Sequence, residues 1–106
     1  MNTMITYLYR DYSNYKVWNH AVIIGEMNEQ QQAVILDCLE DEDNFIPSAV
    51  DLGEEKFETE TEDDGPWFEL YPGFAEPTNL PWTENITADE LVAKFVAAKG
   101  HWRDYI

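Results

Sequence analysis

The chain has 106 residues, 22 acidic and six basic side chains, and a formal net charge of -16. That length fits one domain over 1–106, and 44% hydrophobic with 14% aromatic residues excludes a disordered acidic tail, which lacks the apolar residues for a core. Phosphate affinity comes from Lys and Arg, so so few bases exclude direct binding to nucleic acid or to an anionic membrane surface.

Residues 4–10 alternate, with Ile5, Tyr7 and Tyr9 on one side and Thr6, Leu8 and Arg10 on the other, which predicts a strand. Asp11-Tyr12-Ser13-Asn14 supplies turn residues. A second strand over 15–24 follows, with Trp18, His20, Val22 and Ile24 sharing a face and Gly25 ending it. Asn28 with Gln31 three residues on reads as a capping box. Val34, Ile35, Cys38 and Leu39 then recur at helical spacing, predicting a helix over 29–40. It runs into Glu40-Asp41-Glu42-Asp43, acids at the end of a helix where the macrodipole disfavours them. Residues 45–52 read as an irregular connection.

Lys56 to Glu62 alternates again, with Glu58, Glu60 and Glu62 on one side. Asp63-Asp64-Gly65-Pro66 reads as a turn, and Trp67 to Tyr71 as the returning strand. This gives a second hairpin over 55–71. The Pro-rich stretch 72–84 reads as an ordered loop anchored by Phe74 and Trp82. In the last helix Thr87 and Glu90 form a capping box, with Ile86 and Leu91 placed as a hydrophobic staple. Leu91, Phe95, Ala98 and Trp102 make its apolar stripe. Thr87 completes a glycosylation pattern with Asn85 and Ile86, but its capping role accounts for it. The expected fold is α+β, in the order ββ-α-ββ-α, with both helices on one face of an antiparallel sheet.

No stretch reaches the ~18 apolar residues of a membrane span, and the first residues lack the basic and apolar regions of a signal peptide. A cytoplasmic location is therefore expected. The single cysteine, Cys38, lies in an apolar stretch and reads as a buried structural thiol, since no basic neighbour lowers its pKa.

Tyr7-Leu8-Tyr9-Arg10-Asp11 followed by Asn14-Tyr15-Lys16 resembles the start of small bacterial proteins of unknown function, which implies no activity. In size and charge the chain is also similar to acidic inhibitors of phages and mobile elements, such as anti-CRISPR and anti-restriction proteins. That likeness is one of composition, and such inhibitors have many unrelated folds.

The charge is concentrated. Between residues 17 and 93 there are 20 acids and one base, Lys56, and thirteen of the 22 acids fall between Asp37 and Asp64. Such a field opposes compaction, and solubility needs a net charge of only ~2–8. Same-face carboxylates on a strand repeat every ~6.8 Å, about two steps of ~3.4 Å along a nucleic-acid strand. The expected partner-binding residues are Glu40, Asp41, Glu42, Asp43, Glu54, Glu55, Glu58, Glu60, Glu62, Asp63 and Asp64. Trp67, Tyr71, Phe74 and Trp82 are candidate aromatic anchors, or else they close one end of the core.

Other chemistry finds no support. Glu60 to Gly65 matches a calcium loop through position 6, but Pro66 and Tyr71 stand at positions 7 and 12, where the latter should be Glu. His20, His101 and Cys38 lack zinc-ligand spacing, and no phosphate loop or nucleophile motif is present. No metal, cofactor or enzymatic activity is expected. The expected function is mimicry of nucleic acid by an inhibitor of a basic nucleic-acid-binding protein. The alternatives are an antitoxin- or immunity-type partner of a basic toxin, and a housekeeping domain whose acidic face is merely solvated.

Overall fold

The structure, a computed structural model, describes residues 1–10, 16–54 and 66–106. The first two strands form where alternation predicts them. β1 (Asn2–Arg10) pairs antiparallel with β2 (Lys16–Ile23), from Thr3 opposite Ile23 to Arg10 opposite Lys16. Ile5, Tyr7 and Tyr9 are buried on the core side. Their cross-strand partners Ala21, Asn19 and Val17 must share that face. The core therefore takes the face of β2 opposite to the Trp18–His20–Val22 set. Trp18 and His20 stand exposed on the outer side, and Asn19 is a buried polar residue.

α1 (Glu29–Asp37) starts on the Asn28–Gln31 capping box, with both reciprocal bonds formed at 2.8 and 3.0 Å. It stops short of the expected residue 40. The Cys38 N–H caps it on Ile35 and Leu36 carbonyls, and Glu40 and Asn44 then exchange backbone hydrogen bonds of 2.7 and 2.8 Å. Asp41 and Glu42 between them take left-handed φ of 46° and 77°. The acids thus occupy a tight turn beyond the helix, which removes the expected conflict with its negative end.

β3 (Asn44–Phe45) and a 3₁₀ turn (Pro47–Val50) lie in the stretch read as irregular. The second hairpin is not the arrangement observed for its described half. The segment 67–71 contributes β4 (Phe68–Glu69), which pairs with β1 on one side and β3 on the other. Its expected partner, 56–62, lies outside the described residues. The Pro-rich loop contains a further strand, β5 (Ala75–Thr78), paired with the N-terminal half of β1. The Thr6 N–H donates to the Phe74 carbonyl at 2.9 Å, so even-numbered residues of this segment face β1 and Pro77 faces away. A missing N–H costs no ladder bond there, which is why a proline escapes the usual exclusion. The fold is α+β; among the described residues the antiparallel sheet has five strands in the order β2-β1-β4-β3, with β5 also beside β1. Among the described residues the element sequence is ββ-α-βββ-α, which matches the expected ββ-α-ββ-α only in part.

α2 (Ala88–Ala98) begins on Thr87, whose hydroxyl accepts the Glu90 N–H at 3.1 Å. Ile86, Leu91, Phe95 and Ala98 join the same core as Ile35 of α1 and the inner residues of β1. Aromatic rings run through this core, Tyr7 to Phe45, Phe45 to Phe95 and Phe95 to Trp102, with centroids 5.6–5.7 Å apart. Trp102 is buried in a 3₁₀ turn (Trp102–Tyr105). Its indole N–H donates to the Cys38 carbonyl at 2.8 Å, tying the C-terminal segment to the end of α1. Among the described residues no helix is long and apolar enough to cross a membrane.

Candidate functional site

The first group of candidate residues sits on the Glu40–Asn44 turn at the β3 edge of the sheet. Asp41 and Glu42 are exposed, while Glu40 and Asp43 are half-buried. The Asp43 carbonyl accepts the Leu70 N–H at 2.9 Å, and Asn44 lies opposite Glu69 in the ladder. The turn thereby meets a second acid from β4. Glu69 accepts from Arg10 Nε at 2.9 Å and from the Tyr71 hydroxyl. These contacts displace proton affinities in a consistent sense. Burial, then the neighbouring carboxylates Glu69 and Glu42, push the Asp43 carboxyl above its ordinary range. The hydrogen bond to Glu69 pushes the Tyr71 phenol up, and the same carboxylate raises Arg10. The corner holds a neutral tyrosine, an Arg–Glu pair and a surplus of carboxylate.

Among the described residues, the ion pairs that form do not involve the acids of this turn. Of the bases at described positions, Arg10 pairs with Glu69, Lys94 with Asp51 at 2.9 Å and Lys99 with Asp37 at 2.8 Å. Arg103 lies 5.8 Å from the centre of the Trp67 ring. Lys99 lowers the Asp37 carboxyl and is itself raised, as is Lys94 by Asp51. Among the described residues, Glu40, Asp41 and Glu42 have no ion-pair partner.

The remaining expected residues are not gathered with this turn. Glu54 lies on the β2 side, at the opposite edge of the sheet, where its carboxylate accepts the Ser48 N–H at 3.1 Å and lines a groove with Asn19. Glu55, Glu58, Glu60, Glu62, Asp63 and Asp64 lie outside the described residues. Of the aromatic set, Phe74 is buried in the core and Trp67 packs against it. Tyr71 and Trp82 are exposed to 36% and 50%, large enough for a partner to reach. Tyr71 also borders a shallow depression of about 160 Å³ with Trp18 and Thr6.

Sequence reading missed Arg10 and Glu69. Arg10 and Glu69 are 59 positions apart, and no local pattern announces a pair that only sheet order creates. Cys38 is buried, and burial raises its thiol pKa, as its apolar setting implies. His20 is exposed, its Nδ1 lying 3.1 Å from the Thr6 hydroxyl. Among the described residues no group of His, Cys, Asp and Glu side chains could hold a metal ion. Compared with protein-family models, curated proteins and solved structures, the chain matches none of them.

Proposed function

We propose that this chain is a non-enzymatic acidic binding protein that acts in the cytoplasm. It occupies the nucleic-acid-binding face of a basic protein, such as a phage-defence nuclease, and inhibits it by competition. The observation that carries this reading is the placement of the cations: Arg10, Lys94 and Lys99 are each engaged by a carboxylate outside the Glu40–Glu42 turn. Among the described residues no cation pairs with the turn's acids, which supports a field available to a partner. Such binding needs no reaction centre, only steric fit and a complementary field.

The test is displacement of a labelled DNA duplex from a panel of restriction and CRISPR nucleases at 50 mM salt. Displacement that weakens steeply toward 300 mM salt is expected, since surface charges are screened beyond ~10 Å at 0.1 M. The triple variant Glu40→Gln, Asp41→Asn, Glu42→Gln should lose tenfold or more. No displacement from any member at low salt rejects the proposal. A second reading, an antitoxin- or immunity-type partner of a basic toxin, is favoured by the exposed Tyr71 against the acidic corner. A Tyr71→Ala variant that loses more affinity than the triple variant, with little salt dependence, would decide for it.

A further inference from the structure

We draw no further inference here: the strongest candidate, the shallow depression between Trp18 and Tyr71 on the outer face of the sheet, carries nothing because nothing in the structure shows what covers it.

Discussion

Replacing Trp102 by Phe tests the link between the C-terminal segment and the acidic turn. The indole N–H is the only described donor to the Cys38 carbonyl, at 2.8 Å, and the residue is 1% exposed. Phe keeps an aromatic ring but leaves that carbonyl buried without its donor, a loss of about 1–3 kcal/mol. Reduced contact with Phe45 and Phe95 removes a further ~0.5–1.5 kcal/mol. The sum is about 1.5–4.5 kcal/mol, a large part of the ~5–15 kcal/mol by which a domain is stable. It corresponds to a Tm lowered by roughly 10–20 °C. Urea unfolding followed by far-UV circular dichroism should show a lower midpoint with unchanged slope. Phe95→Leu serves as the control, since it thins the same ring cluster while leaving the indole bond. Amide exchange at Glu40 and Asn44 should accelerate in Trp102→Phe more than in the control, because Cys38 caps the helix just before their turn. A Trp102→Phe loss below ~1 kcal/mol, or an indole proton that exchanges freely in the parent, would refute the reasoning.

A raised carboxyl pKa means that the folded chain holds the proton more tightly than the unfolded one. The penalty is present at neutral pH and disappears as pH falls through the folded value toward the ordinary one, near ~4. Asp43→Asn should therefore raise Tm relative to the parent at pH 7, with the gap closing by about pH 4; a gap that stays constant removes Asp43 from the acidic corner. Asp37 has the opposite sign, since Lys99 stabilises its ionised form, and that contribution is lost as pH falls below the ordinary carboxylate range. Lys99→Met should return the Asp37 carboxyl to that range in an NMR titration. The native protein should react with a disulfide reagent only as fast as it opens, because the Cys38 thiol is buried and its ionisation suppressed; an immediate stoichiometric reaction contradicts that burial. Thr87→Ala should cost about 1 kcal/mol through loss of the α2 cap, read from the urea midpoint.

Local signals located what local physics decides. The capping boxes at Asn28 and Thr87 place both helix starts, and the alternation of Ile5, Tyr7 and Tyr9 places the core face of β1. What resisted reading was decided by partners distant in sequence. The face of β2 follows from its register against β1, since both Ala21–Ile23 and Val22–Ile24 are apolar and either set could turn inward. β5 was hidden because Pro77 suggests a loop, and only the direction of its missing N–H, away from β1, makes it acceptable. The acidic run was legible as composition but its geometry was not. Glu40 to Asp43 and Glu54 are close in sequence, yet β1 and β4 lie between the strands they border.

Pro77 has one more consequence. On the side of β5 that faces away from β1, position 77 offers no N–H to a further strand, and β3 is only two residues long. Both features disfavour extension of the sheet along these borders. A head-to-tail fibre requires both borders to be receptive, so a border blunted in this way works against polymerisation.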